Sequence, residues 1–129
     1  MQREKFEKLV KVALSGLPEN IRQKIKNIAI CIEDEANTFQ LKKSGTRISN
    51  SLLGLYQGVP RTVWGRENFP ARLPDKITIF QKPIERLAGQ REERIAKLIR
   101  IVVWHEIAHH FGLNEKEVRN LEKKWKRSL

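Results

Sequence analysis

The chain has 129 residues, 40% of them apolar and 32% charged, a balance that excludes wholesale disorder and fits one folded domain, 1–129. Its formal net charge of +11 is compatible with acidic peptides, nucleic acid, an anionic membrane or simply a well-solvated surface. No apolar stretch resembles a signal peptide or spans a bilayer, and the lone Cys31, which we interpret as a buried small hydrophobe, excludes an internal disulfide. We therefore expect a cytoplasmic protein without a membrane partner.

The first part of the chain predicts a helix followed by a strand. Residues 3–14 place apolar side chains at helical spacing, and Gly16 to Pro18 end that helix. A short helical turn is expected around Asn20 to Lys26. From Ile28 to Ile32 isoleucines alternate with smaller or polar residues, which is typical of a strand, and the polar residues 33–35 end it.

Residues 34–75 give a less definite pattern. Glycines and prolines recur between Lys42 and Arg72, so long helices are not expected there. Ser51 to Gln57 could form a short strand, in which Gly54 indicates an edge position or a bulge.

The last part predicts one more strand and three helices. Lys76 to Phe80 forms the strand, and Pro83 suits the first turn of a short helix from Ile84 to Ala88. Residues 91–111 carry a wide apolar stripe and predict the longest helix, and residues 115–127 repeat apolar side chains at helical spacing. This order of elements predicts a compact α+β fold.

All three histidines lie within residues 105–110, and two of them belong to the motif His105-Glu106-x-x-His109. Side chains four apart on a helix face the same way, with Cβ atoms about 5–6 Å apart, so both imidazoles can bind one ion. Glu106 is turned by about 100° around the helix axis, which favours holding a water on that ion. Zinc lowers the pKa of such a water to about 7, and Glu106 can remove the proton as general base. The motif therefore predicts a zinc (Zn2+) site for the hydrolysis of peptide bonds.

A third metal ligand is expected after the motif, because a catalytic zinc keeps three protein ligands and an open position, whereas a closed structural site is usually rich in cysteine. Gly112 suits a left-handed turn that ends the helix and returns the next residues toward the metal. Glu115 is the predicted ligand, the alternative being an acid favoured by the helix dipole. Glu117 and Glu122 are the reserves. His110 is turned away from the metal, and we interpret it as a packing or supporting residue.

The extended pattern His105-Glu106-x-x-His109-x-x-Gly112-x-x-Glu115 resembles that of small bacterial zincin-like predicted metallopeptidases. The resemblance also covers Leu52 to Pro60, Leu73 to Phe80 and Phe6 to Pro18. It implies a minimal zincin-like fold: a small mixed sheet, an N-terminal backing helix, the active-site helix beneath the sheet, and a C-terminal helix. Family members more often have aspartate at the position of Glu115, so the longer glutamate alters the expected ligand geometry.

The same resemblance suggests where a substrate binds. In larger zincins an extended peptide pairs with an edge strand above the metal, and the segment from Leu52 to Gln57 is the corresponding candidate here. Tyr56 could assist an oxyanion, although a structural role for its ring is the favoured interpretation.

Three functions remain open from the sequence. The first is a zinc peptidase acting on peptides or proteins, with a preference for acidic ones as one way to use the charge. The second is a nucleic-acid- or protein-binding module with a vestigial metal site. Its support is the basic segment 123–127 and the stretch from Lys42 to Arg72, in which Glu67 is the only acid. The basic residues of that stretch are Lys42, Lys43, Arg47, Arg61, Arg66 and Arg72. The third is a regulatory peptidase that needs an activating partner protein.

Overall fold

The computed structural model describes residues 1–17, 19–25, 28–44, 52–58, 75–111, 116–117, 119–120 and 123. These ranges form several helices and one small mixed sheet, so the predicted α+β fold class is confirmed. The elements are α1 (Arg3–Ser15), α2 (Glu19–Lys24), β1 (Ile28–Glu33), α3 (Thr38–Ser44), β2 (Gly54–Gln57), β3 (Asp75–Phe80), α4 (Gln81–Ala88) and α5 (Glu92–His110).

The three strands form one mixed sheet in the order β1-β3-β2. β1 runs parallel to β3, with Ile28 opposite Asp75, and β2 runs antiparallel to it, with Gly54 opposite Ile79. β3 is therefore the central strand, and its residues 77–80 are buried. The small mixed sheet that the family resemblance implies is present.

α5 lies at the centre of the helical part and contacts α1, α4, β2 and β3. The apolar side of α1 faces α5, where the indole nitrogen of Trp104 also donates a hydrogen bond of 3.1 Å to the carbonyl oxygen of Ala13. Burial of apolar side chains from all these elements supplies the main stabilising free energy of the fold. Fully buried core side chains include Phe6, Ile77, Ile79, Phe80, Ile84, Ile99 and Val103.

Several predicted elements have different limits in the structure. The strand expected from Ser51 begins only at Gly54, and α4 begins at Gln81, directly after β3. Cys31 is half-buried rather than buried, because β1 lies at an edge of the described sheet and all six of its residues are half-buried.

α3 is an element that the sequence interpretation missed. Asn37 and Gln40 form a reciprocal cap at its start: the side-chain oxygen of each accepts a hydrogen bond of 2.8 Å from the backbone N–H of the other. An Asn followed three residues later by a Gln is a recognisable variant of the capping box. This signal lies between the polar residues 33–35 and the glycine- and proline-rich region that begins at Lys42, where the sequence predicted no element.

The predicted C-terminal helix is described only in part. Residues 116–117, 119–120 and 123 are helical and exposed, while the apolar Val118, Leu121 and Trp125 have side chains outside the description. None of the helices in the described ranges combines the length and the apolar character needed to cross a membrane.

Candidate metal centre

The candidate site lies on the last two turns of α5, and packing rather than local propensity holds that helix in place. Residues 99 to 103 include four β-branched side chains, which have low intrinsic helix propensity. Ile99, Val102 and Val103 are nevertheless buried in the core, so tertiary burial compensates for the weak propensity. At the far end the backbone N–H of Phe111 donates to the carbonyl oxygens of Ile107 and Ala108 and closes the last turn.

His105 and His109 face each other one turn apart on α5. Their Nε2 atoms lie 3.0 Å from one another, and their ring planes meet at 71°. Two nitrogens that bind one tetrahedral zinc at about 2.0–2.1 Å are separated by roughly 3.3 Å, close to the separation found here. Both residues are half-buried, so the pair is open on one side and supported by protein on the other.

Glu106 completes a group of three potential ligands. One ligand atom from each of His105, Glu106 and His109 lies within 4.8 Å of the others. The glutamate is only 8% exposed, so its carboxyl group stands in surroundings of lower polarity than water. Nitrogen and oxygen donors of this kind suit zinc. Three of the predicted site residues, His105, Glu106 and His109, are therefore close together and could hold a metal ion.

β2 approaches α5 most closely at Gly54, beside Glu106. A Cβ atom at Gly54 would lie 2.7 Å from Cγ1 of Val102 and 3.2 Å from Cγ of Glu106. A distance of 2.7 Å is too short for a contact between two carbon atoms, so β2 can approach α5 this closely only with a glycine at position 54. The sequence indicated an edge or a bulge at Gly54. β2 is an edge strand of the sheet formed by the described residues, and the glycine also permits this close approach.

His110 points away from the metal-facing pair, into a polar cluster with the buried Asp75 and the half-buried Tyr56. Its Nδ1 lies 2.5 Å from Oδ2 of Asp75, and the Tyr56 hydroxyl donates a hydrogen bond of 2.8 Å to the same oxygen. The rings of Tyr56 and His110 meet edge to face, with centroids 5.8 Å apart. The supporting role predicted for His110 agrees with this position. The Tyr56 hydroxyl contacts Asp75, in keeping with the structural role favoured for that residue.

Asp75 is the member of this cluster that sequence reasoning missed. It is 2% exposed although it is an acid at the start of a strand, where a solvent-exposed position is the ordinary expectation. The side chains that contact it, Tyr56 and His110, come from two other segments of the chain, so no local pattern points to its burial.

The predicted third ligand, Glu115, lies outside the described residues, as do Gly112 and Glu122. Glu117 is described and is exposed. The identity of the third ligand therefore stays a prediction.

The chain is similar to a known protein family. A family model for zincin-like metallopeptidases matches residues 25–125, which include all three strands and the whole of α5. The match begins after α1, so the likeness noted for Phe6 to Pro18 lies outside it. No curated protein matches the chain.

Proposed function

The chain belongs to the zincin-like metallopeptidase family, and we propose that it is a zinc-dependent peptidase whose metal is held by His105 and His109. One observation carries this proposal: the Nε2 atoms of the two histidines lie 3.0 Å apart on the half-buried face of a single helix. Glu115 is the proposed third protein ligand, and the remaining position is left for water or substrate.

When bound, zinc supplies Lewis-acid chemistry, which polarises the scissile carbonyl and makes water nucleophilic near neutral pH. The carboxylate of Glu106 is placed beside the two histidines to accept a proton from the attacking water on one of its oxygens. The same carboxyl group then returns that proton to the nitrogen of the leaving amine. Its low exposure keeps bulk water from competing for the proton.

We further propose that an extended peptide substrate binds along β2. This strand forms one edge of the three-stranded sheet described, and it crosses α5 directly beside Glu106 at Gly54. Pairing through backbone N–H and C=O groups requires no particular side-chain sequence in the substrate. Specificity would then come from side-chain contacts on either side of the scissile bond.

The decisive test replaces Glu106 with glutamine and measures both zinc content and cleavage of a peptide library. Glu106→Gln keeps the shape of the side chain but cannot accept the proton, so we expect turnover to fall by about 10²–10⁴-fold. Zinc should stay stoichiometric, because the histidine ligands are unchanged. Glu93→Gln is the matched control, since it makes the same change in the exposed first turn of α5 and should leave turnover and zinc content unaltered.

Two results would overturn the proposal. One is wild-type protein that holds no stoichiometric zinc after reconstitution. The other is a Glu106→Gln variant that keeps its zinc and cleaves peptides at the wild-type rate.

A further inference from the structure

The polar cluster of Asp75, Tyr56 and His110 joins the metal helix to two strands of the sheet. Asp75 lies on β3, Tyr56 on β2, and His110 is the last residue of α5. Both polar contacts converge on one oxygen of Asp75. The end of the helix that carries His109 is thus tied through side chains to the sheet.

We propose that Asp75 and Tyr56 position His110 and thereby fix the orientation of His109 toward zinc. In an α-helix consecutive side chains differ by about 100° around the axis, so the direction of His110 sets that of His109. The last turn of a helix lacks some backbone hydrogen bonds and is prone to fraying. A side-chain contact at its final residue opposes both rotation and fraying of this turn.

The burial of Asp75 supports this interpretation. At 2% exposure its carboxyl group has lost most of its contact with water, which destabilises a fold unless polar partners compensate. His110, itself 7% exposed, and Tyr56 are two such partners. Apolar packing could fill the same volume without that cost. Placing the acid here is therefore better explained by the geometry that it imposes than by stability alone.

The backbone around the cluster also leaves space for it. A Cβ atom at Gly58 would lie 2.5 Å from Oδ1 of Asp75 and 2.7 Å from the hydroxyl oxygen of Tyr56. The chain following β2 therefore passes the acid and the phenol so closely that a larger residue at position 58 would require one of these side chains to move.

The test compares two substitutions of nearly equal shape at His110. His110→Asn places an amide nitrogen one bond from Cγ, where the imidazole has Nδ1, whereas His110→Leu has the same branching without a polar atom. The affinity of the apoprotein for zinc is measured by competition with a chelator, at a temperature where circular dichroism shows each variant to be folded. We expect His110→Leu to weaken zinc binding by about tenfold or more, as does the loss of other supporting contacts around metal sites. His110→Asn should stay within about threefold of wild type, since a tenfold change is the scale of a lost supporting contact.

Trp104→Phe controls for general destabilisation of α5. It removes a buried hydrogen bond from the residue beside the other histidine ligand, but that bond points toward α1 rather than toward the sheet. It should lower the unfolding temperature and leave zinc affinity unchanged in the folded protein.

The inference rests on the proposed zinc site, and different results would contradict the positioning role and the zinc site. If wild type binds no zinc, the site itself is wrong. If wild type binds zinc, two results would show that only the positioning role is wrong. In one, folded His110→Leu has the same zinc affinity as wild type. In the other, His110→Leu and His110→Asn have equal zinc affinities.

Discussion

At the scale of single residues, the site depends on four polar side chains of α5 that point in different directions. His109 faces His105, His110 faces the sheet, and Glu106 packs beside β2. A histidine that binds zinc through Nε2 carries its remaining proton on Nδ1, and the acceptor of that proton sets the ring orientation. Because His109 and His110 point in different directions, the first can bind the ion while the second supports the turn.

The first residue-scale prediction concerns the third ligand. Glu115→Ala removes the proposed carboxylate, and we expect zinc affinity measured by chelator competition to fall by at least about tenfold, because losing even a supporting partner has effects of that size. Glu117→Ala is the control, since Glu117 is exposed and is only a reserve candidate for the ligand. If Glu117→Ala weakens zinc binding instead, Glu117 is the ligand. If neither variant does, Glu122 becomes the next candidate.

At the scale of elements, β2 packs so closely against α5 that Gly54 lies beside Glu106, the proposed general base. The contact distances at Gly54 leave no room for a methyl group between the strand and Val102. Val102 is buried and β-branched, so it cannot rotate away freely. A larger residue at Gly54 would force the two elements apart.

Gly54→Ala should accordingly reduce peptide cleavage. We expect the strand to move away from α5, with a loss of about 1–3 kcal/mol in the free energy of unfolding from overpacking. Turnover should fall because the substrate and Glu106 are displaced from one another, while zinc affinity changes little because the histidines remain on one helix. Urea denaturation, peptide kinetics and zinc titration measure the three quantities separately.

Gly16→Ala is the matched control for this variant. A Cβ atom at Gly16 meets its nearest neighbours at 3.6 Å, which is ordinary van der Waals contact, so cleavage and stability should stay close to wild type. Full activity in a folded Gly54→Ala protein would show that the close approach of β2 does not matter for catalysis.

At the scale of the whole molecule, the net charge of +11 should influence which substrates arrive at the site. Charged surfaces raise the local concentration of oppositely charged ligands and accelerate their association. This effect extends over roughly 30 Å at 0.01 M salt but only about 8 Å at 0.15 M. Through this effect the proposed peptidase would favour acidic peptides even without a specific pocket for them.

We therefore expect acidic peptides to show a kcat/KM several-fold above that of basic peptides of equal length at low salt, with the difference shrinking at physiological salt. A charge-varied peptide library, cleaved at several salt concentrations, measures this. Equal rates for acidic and basic members at all salt concentrations would contradict the prediction. Tight, strongly salt-dependent binding of duplex DNA, together with no cleavage of any peptide, would favour the nucleic-acid-binding alternative.

The sequence alone was sufficient for the parts of this protein that depend on periodicity. The limits of α1 and α5 and the position of β3 follow from apolar spacing, and the pairing of His105 with His109 follows from the helical repeat. α3 was also predictable, because its cap is a local pattern of Asn37 and Gln40. These features are readable because they are set by residues within about one or two turns of each other.

The tertiary structure decided the contacts between distant segments. Asp75 and His110 are separated by 35 positions in the chain, and Gly54 and Glu106 by 52, yet each pair lies in direct contact or nearly so. No local pattern predicts such contacts, because they follow from strand order and from the height at which β2 crosses α5. The spacing of the motif thus determined which side chains can face a metal, and packing determined what supports them and which strand lies beside them.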